Sequence, residues 1–335
     1  MIIVTGGAGF IGSALINALN KRKITDILVV DELGTDEKWK NLTNLSFADY
    51  VEKGDFLEMA VENKISPPIE AVFHLGACTS TTETNASYLI KNNYEYTKLL
   101  AQWATDAGIR FIYSSSAATY GDGSAGFSDD EEKIKTLRPL NMYGYSKHLF
   151  DLWAHRAGIL GKTACLKYFN VFGPNEYHKG DMRSFVLKAF EQINASGRVR
   201  LFKSYKNEYA DGEQKRDFLY VKDAIDMTLF FLDNPQLSGI FNIGAGKART
   251  WNDLVKAVFA AMGKSPNIEY IDMPDSIRNQ YQYFTEADIS KLRKAGCNKK
   301  PASLENAVTD YVQNYLQEKP IIHPGRDTQL PPRRL

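Results

Sequence analysis

At 335 residues the chain is long enough for one large or two moderate domains around a sizeable core. Its 44% hydrophobic and 24% charged content is that of an ordinary soluble globular protein, and a net charge of +1 argues against a nucleic-acid surface as the main function. Cys78, Cys165 and Cys297 are too widely spaced for a zinc site or a disulfide framework, and no apolar run reaches membrane-span length, so the expectation is a cytoplasmic protein with reduced thiols, no metal and no membrane partner.

The chain opens in a strand pattern, with no room for a signal peptide before it. The β-branched run Ile2-Ile3-Val4 reads as a buried parallel strand. Gly6, Gly9 and Gly12 follow three apart, and Phe10, Ile11, Leu15, Ile16 and Leu19 then carry helical spacing. Strand, glycine turn and helix together are the context a dinucleotide-binding loop requires. The glycines permit a tight turn, close approach of backbone to a pyrophosphate, and packing of helix on strand. The helix N-terminus offers N–H groups to the phosphates. The alternative is an ordinary tight βα turn.

A second strand, Asp26 to Asp31, ends in an acid 19 residues past Gly12, where such folds meet the adenosine ribose. That acid favours NAD, whereas Lys38 and Lys53 suit a 2′-phosphate or are solvated surface lysines. Ile69 to Leu75 is a further strand. It ends at His74, expected to be a satisfied buried histidine, and runs into the small-residue loop Gly76-Ala-Cys-Thr-Ser. A long helix is predicted from about Ala86 to Ala107, closed by Gly108. The strand Ile109 to Tyr113 opens into a hydroxyl-rich loop, Ser114 to Gly121. The alternation predicts a doubly wound α/β fold, with a mostly parallel Rossmann-type sheet and helices on both faces.

Asp122 to Pro139 is polar and acidic and reads as a surface excursion. The helix starting near Asn141 carries Tyr143 and Lys147, with Leu149, Phe150, Leu152 and Trp153 on its core side. A strand, Thr163 to Phe169, precedes a predicted loop over Asn170 to Gly180. A helix over about Met182 to Asn194, a strand over Val199 to Phe202 and a polar stretch from Ser204 to Gln214 follow. Beyond Arg216 the alternation loosens. We read residues 1–170 as the dinucleotide-binding domain, with about 216–245 contributing, 171–318 mainly as a smaller α/β substrate-binding lobe, and 319–335 as a poorly ordered tail.

Tyr143 and Lys147 lie four apart and share a helix face. An ammonium beside a phenol stabilises the phenolate, and a tyrosine with a lowered pKa can take a proton from an alcohol as hydride leaves the same carbon. Tyr94 and Lys98 repeat the spacing, as chance among 18 tyrosines allows. Position separates them, because only Tyr143 follows the serine-rich strand end, where Ser116 or its neighbours can hydrogen-bond the same substrate oxygen.

Thr5 to Gly12, Ser114 to Gly121, Tyr143-x-x-x-Lys147 and Tyr168-Phe-Asn-Val-Phe-Gly-Pro174 together resemble the extended short-chain dehydrogenase/reductase family, the NAD-dependent epimerases and dehydratases, over nearly the whole chain. His74 to Glu83, Asn92-Asn93-Tyr94, Glu176-Tyr-His-Lys-Gly180 and Gln280 to Thr285 resemble the branch that inverts C6″ of an ADP-linked heptose, a lipopolysaccharide precursor. The resemblance implies an NADP site lined by Gly6, Gly9, Phe10, Ile11, Gly12, Asp31, Glu32, Lys38, Lys53, Leu75, Gly76, Ala77, Cys78, Thr79 and Asn92, with Lys147, Val171 and Lys179 also touching the cofactor. It makes Tyr143 and Lys179 paired acid/base groups, with Lys147 and Ser116 assisting. Ser116, Asn170, Asp181, Lys188, Phe202, Lys203, Ser204, Tyr205, Arg216 and Tyr281 would touch substrate, Arg216 suiting a diphosphate. It also implies a homo-oligomer, commonly a pentamer. Asp181, an acid where a small residue is usual, and the longer stretch from Ser204 to Gln214 depart from the pattern.

A C6″ hydrogen is not acidic, so inversion by simple proton abstraction is excluded. Oxidation to a ketone and return of the hydride to the other face meets the requirement, and two proton-handling groups then suit the two positions of the oxygen. A 4,6-dehydratase would need an acidic pair where Ala117-Ala118 stand. A nucleotide-sugar 4-epimerase and a non-catalytic NADP-sensing module are the alternatives, and retention of both Tyr143 and Lys147 favours an enzyme over the latter.

Overall fold

The computed structural model describes residues 1–65, 68–278 and 281–317. The tail expected over 319–335 and the Gln280 end of the Gln280–Thr285 motif lie outside the described residues. β1 (Ile2–Thr5) is buried along its length and leads through the glycine turn into α1 (Phe10–Lys21) and then β2 (Ile27–Asp31), also wholly buried. An edge strand and helix not legible in the sequence follow, β3 (Asp49–Glu52) and α2 (Lys53–Val61). β3 escaped because its residues are polar and half-exposed, as edge strands tend to be.

β4 (Ala71–His74) pairs with the other side of β1. The helix predicted from Ala86 is three pieces in one run: α3 (Ala86–Leu89), a π-helical segment (Ile90–Glu95) and α4 (Tyr96–Asp106). β5 (Arg110–Ser116) continues past Tyr113, so Ser114 to Ser116 belong to the strand and only Ala117 onward turns away. Ladder pairing of those serines with Leu166, Lys167 and Tyr168 extends it.

α5 (Met142–Arg156) is capped by Asn141, whose side chain accepts from the Gly144 N–H at 2.8 Å. Its core side is more polar than predicted. Ser146, Lys147, His148 and Asp151 are buried beside Phe150, while Leu149, Leu152 and Trp153 are half-buried.

After β6 (Thr163–Tyr168) the chain does not loop out but forms a short strand, β7 (Asn170–Phe172), where a loop was expected. Phe169 marks the change of partner: its N–H bonds the Ile243 carbonyl, and the next three residues pair with a different strand. α6 (Phe185–Ser196), later than predicted, begins where Ser184 caps it. β8 (Val199–Phe202), β9 (Lys215–Tyr220), α7 (Val221–Asp233), β10 (Gly239–Ile243), β11 (Ala248–Thr250), α8 (Trp251–Ala261), β12 (Ile268–Ile271), α9 (Asp275–Arg278), α10 (Ser290–Lys294) and α11 (Leu304–Tyr311) complete the described chain.

The large sheet has the order β10-β6-β5-β4-β1-β2-β3 and is parallel throughout. Period-two alternation divides its side chains. Ile2 and Val4 join a core with Leu15, Ile16 and Ile225 on the face covered by α1 and α7, and Ile3 joins Phe56, Leu100 and Phe150 under α2, α4 and α5. Strand order reverses between β1 and β4, which opens a crevice at their C-terminal ends. A three-stranded sheet, β11-β9-β7, and a parallel pair, β12-β8, form the second layer with α6, α8 and α11.

The acidic segment over residues 122–139 has a structural task beyond a surface excursion. Asp129 accepts from the Asn242 N–H at 2.9 Å and Glu131 from the Ile240 N–H at 2.8 Å, so carboxylates cover the outer edge of β10. Deeper inside, Lys167 of β6 and Asp151 of α5, both fully buried, pair at 3.0 Å. Lys167 also donates to Thr119 Oγ1 at 2.6 Å, and Ser115 Oγ donates to Asp151 at 3.0 Å.

Breaking a buried pair by removing one partner typically costs about 3–5 kcal/mol, because the other charge is left uncompensated. Lys167→Met should therefore lower the free energy of unfolding by about that amount. Lys167→Met/Asp151→Leu should recover most of it. Urea denaturation of the two variants checks both.

Candidate active site

The glycine turn is a backbone contact that no side chain can enter. Gly6 takes φ +68° and donates to the Val30 carbonyl at 2.7 Å. A Cβ on Gly12 would stand 2.1 Å from the Gly6 carbonyl oxygen, and one on Gly6 would stand 2.6 Å from the Gly76 nitrogen. No side chain caps α1, whose N-cap is Gly9, and no acid lies in its first turn. The result is a backbone cradle facing a bare positive helix end, which fits a dinucleotide's pyrophosphate.

Asp31 closes one side. Its carboxylate accepts from the Ala8 and Glu32 N–H groups at 2.9 and 2.7 Å and pairs with Lys38 at 2.9 Å. Lys53 pairs with Glu32 and donates to Asn92 Oδ1 at 2.9 Å. Hydrogen bonding to Lys53 holds the Glu32 carboxyl below its usual range, against a smaller opposing effect of burial. Both lysines thus sit in the cleft rather than on open surface, together with Gly6, Gly76, Ala77 and Cys78. Tyr88 and Tyr96 line the same cleft and carried no motif in the sequence.

The opposite wall depends on the π-helical segment. Its wider turn presents Asn92 to Lys53 and the buried Asn93 to the loop after β4. Asn93 accepts from the Cys78 N–H and donates to the Cys78 carbonyl, both at 2.9 Å, and donates to Ser146 Oγ on α5. Leu75 N–H is held by the Thr5 carbonyl, while Thr79 is exposed. His74 is the satisfied core histidine expected. Thr5 and Thr97 hydroxyls contact its two ring nitrogens at 2.7 and 2.9 Å, and burial pushes its pKa down to about 3.

Ser116, Tyr143 and Lys147 meet at the C-terminal end of β5. Ser116 Oγ accepts from the Ala118 N–H at 3.1 Å. α5 approaches this turn closely because a Cβ on Gly144 would stand 2.7 Å from the Ala118 carbonyl oxygen, a requirement that no motif advertised. The expected lowering of the Tyr143 phenol by Lys147 is not what the structure has. Burial raises that phenol, and hydrogen bonding with Ser116 opposes the rise. The Lys147 ammonium instead donates to the Ser114 carbonyl at 2.8 Å and lies 4.7 Å from the centre of the Tyr113 ring. Burial pushes Lys147 down to about 8, with Asp151 pulling the other way.

Lys179 reaches the first residue of α1 from the segment between β7 and α6. Its ammonium lies 5.4 Å from the centre of the Phe10 ring, at the first residue of α1. Burial lowers its pKa and Glu176 opposes that shift. Val171 lies on β7 nearby in the chain, half-buried against the main core.

On the second layer Arg216 is buried on β9, with its guanidinium 5.3 Å from the Tyr281 ring centre and 5.7 Å from that of Trp251. Among the described residues no carboxylate forms an ion pair with it; its polar partner is the Lys215 carbonyl at 2.9 Å. Phe202 packs edge-on against Tyr281, and the Tyr205 N–H donates to the Tyr283 hydroxyl at 3.0 Å. Trp251 and Tyr281 thus flank the cation, with Phe202 and Tyr283 packed on Tyr281, and Trp251 is a member the sequence did not single out. Other expected substrate residues have partners of their own. Lys203 pairs with Asp272 at 3.2 Å, Ser204 N–H bonds Asp211, and Lys188 donates to the backbone carbonyl of the exposed Asp181. Asn170 is exposed, with Thr285 as a distant partner at 3.4 Å.

Residues 2–244 match the model of the NAD dependent epimerase/dehydratase family. The chain belongs to that family. The sequence is 56% identical over 316 residues to an ADP-L-glycero-D-manno-heptose-6-epimerase of Nitratidesulfovibrio vulgaris, covering 94% of this chain and 98% of that protein. A protein of the same name from Fusobacterium nucleatum is 48% identical, with 95% and 99% covered. The crystal structure of Helicobacter pylori ADP-L-glycero-D-manno-heptose-6-epimerase superposes with a TM-score of 0.79 at 28% identity, covering 93% of this chain and 95% of that one. A UDP-N-acetylglucosamine 4-epimerase from Methanobrevibacter ruminantium superposes with a TM-score of 0.78 at 25% identity, covering 95% and 98%.

Membership agrees with the resemblance read from the glycine turn, the serine strand end and the Tyr143/Lys147 pair. It brings a nicotinamide cofactor, for which the cradle and the bare end of α1 are fitted. Among the described residues no helix is long and apolar enough to cross a membrane, and no group of His, Cys, Asp or Glu is arranged to hold a metal ion.

The glycine contacts give graded expectations. Gly12→Ala should abolish dinucleotide binding, because its Cβ would overlap the Gly6 carbonyl at 2.1 Å. Gly9→Ala, with its nearest contact at 3.1 Å, should weaken binding only moderately. Calorimetric titration of each variant with NADP and with NAD checks the order.

Proposed function

We propose that the chain is an epimerase that converts ADP-D-glycero-β-D-manno-heptose to ADP-L-glycero-β-D-manno-heptose, in lipopolysaccharide core precursor synthesis. The observation that carries this reading is the Lys179 ammonium at the first turn of α1, which we read as a second proton-handling group. Tyr143 stands on α5, and Lys179 reaches Phe10 from a different segment. A one-face dehydrogenase needs only the first. The similarity to the two heptose epimerases supports the choice of sugar.

The bound nicotinamide dinucleotide supplies a hydride acceptor and donor, so that the C6″ alcohol passes through a ketone and back. NADP is our reading of that cofactor, because Lys38 and Lys53 place two ammonium groups beside the Asp31 and Glu32 carboxylates at the adenosine end. Lys147 anchors the floor of the site through the Ser114 carbonyl, and Ser116 holds the Tyr143 hydroxyl in register with the substrate oxygen. Tyr143 and Lys179 exchange the hydroxyl proton at the two positions the oxygen occupies. Arg216 binds the diphosphate, since a buried guanidinium with no ion pair among the described residues gains most from an anionic ligand.

Tyr143→Phe should reduce turnover by about 10²–10⁴-fold while leaving dinucleotide bound, as steady-state kinetics and the nucleotide content of the purified variant would report. Substrate carrying deuterium at C6″ should keep its label through epimerisation. Mass spectrometry of the product reads this directly, and washout into solvent would contradict hydride return.

A further inference from the structure

Glu176 is a carboxylate placed where carboxylates are expensive. It is 1% exposed, in the segment between β7 and α6, and no lysine or arginine among the described residues forms an ion pair with it. Three donors from the ends of the segment hold it, the Gly173 N–H at 3.4 Å, the Ser184 hydroxyl at 2.6 Å and the Ser184 N–H, and the buried Tyr311 hydroxyl of α11 faces it as a further donor. Gly173 follows β7 and Ser184 caps α6, so one carboxylate ties together the two ends of the segment that carries Lys179. The positive end of α6 lies just beyond Ser184 and favours a negative charge there. Within the segment, the Lys179 N–H bonds the Glu176 carbonyl at 3.1 Å, and Gly180, at φ +51°, turns the chain away immediately afterwards.

Both carboxylate oxygens accept, so a glutamine would set its amide NH₂ against a backbone N–H, that of Ser184 or that of Gly173. Burial raises the Glu176 pKa while its donors oppose the rise. The charged groups around Lys179 are few. Glu176 acts from its own segment and favours the ammonium, and the neighbouring His178 feels Asp36, Lys38 and Asp31 from the strand-2 side.

We propose that Glu176 is the positioning residue of Lys179, fixing by its three hydrogen bonds the segment that delivers the lysine to the first turn of α1. The proposal rests on the reading of Lys179 as an acid/base group. A segment closed at both ends by a buried carboxylate holds its lysine in one place without any contact between Glu176 and substrate. The same charge keeps the lysine more basic than its burial alone would.

The test is a cycle of Glu176→Gln, Glu176→Asp, Lys179→Met and Glu176→Gln/Lys179→Met, read by kcat, KM, pH profile, NADP binding and thermal melting. Displacing a reacting group by about 1 Å can cost on the order of 100-fold, so Glu176→Gln should lose about that factor in kcat with little change in KM or in NADP binding. The limb of the pH profile that disappears in Lys179→Met should move to lower pH in Glu176→Gln, because removing a nearby negative charge makes an ammonium more acidic. Glu176→Asp keeps the charge, so it should lose rate while that limb stays near its original position. On the Lys179→Met background, Glu176→Gln should add no further loss.

An unmoved limb in Glu176→Gln, or equal losses with and without Lys179, would overturn the proposal and leave a plain stability role. If Glu176→Gln does not fold, Glu176→Asp on the two backgrounds supplies the same comparison. Full activity of Lys179→Met would instead overturn the reading of Lys179 itself, an outcome separable from the others.

Discussion

Where the β1–α1 turn meets the chain leaving β4, two backbones lie too close for any side chain between them. Gly6 packs on Gly76, and Gly12 packs on Gly6, at separations a Cβ would close to 2.6 and 2.1 Å. The rest of the site is hung from that contact. It brings the bare end of α1 to the crevice where strand order reverses, and it lets Ala8 reach the Asp31 carboxylate. It also sets the β4 loop against Asn93, and through Asn93 against Ser146 of the helix that bears Tyr143 and Lys147. A bulkier turn would separate the two halves of the cleft, and no rearrangement of surface side chains could restore their spacing.

Buried cations are divided according to their partners. Lys167 is neutralised by Asp151 at 3.0 Å, inside a network that also takes in Ser115 and Thr119. Such a pair organises structure and leaves little charge to spare. Among the described residues no carboxylate forms an ion pair with Lys147 or Arg216, each of which meets a backbone carbonyl and aromatic rings. A charge kept in low dielectric without an ion pair is the kind a bound anion or a developing negative charge can use. Lys167 and Lys147 belong to neighbouring elements, β6 and α5. Ser115 of β5 also donates to Asp151, so the network fixes how the helix sits on both strands.

Much of the fold was legible in the chain. The buried β-branched runs, the three glycines and the Asn141 cap state their structure locally, because strand burial, turn geometry and capping depend on neighbours a few residues away. β3 was not legible, since a short polar edge strand has no alternation to read. β7 was not either, because a three-residue strand exists only by virtue of the partner β9, which the chain reaches more than 40 residues later. The polar core face of α5 was misread as apolar for a similar reason. Asp151 can be buried there only because Lys167 arrives from β6 to pair with it.

The sequence by itself determined the class of fold, the dinucleotide-type turn, the Tyr143/Lys147 spacing and the resemblance to the family, all of which reside in contiguous residues. Tertiary structure alone decided which groups meet. Lys147 turns to the Ser114 carbonyl rather than lowering the Tyr143 phenol, and Lys179 reaches Phe10. Arg216 is enclosed by Trp251 and Tyr281, and Lys203 pairs outward with Asp272. Direction and partnership of a charged side chain are set by desolvation and by atoms far away in the chain, and neither is written in the spacing of its neighbours.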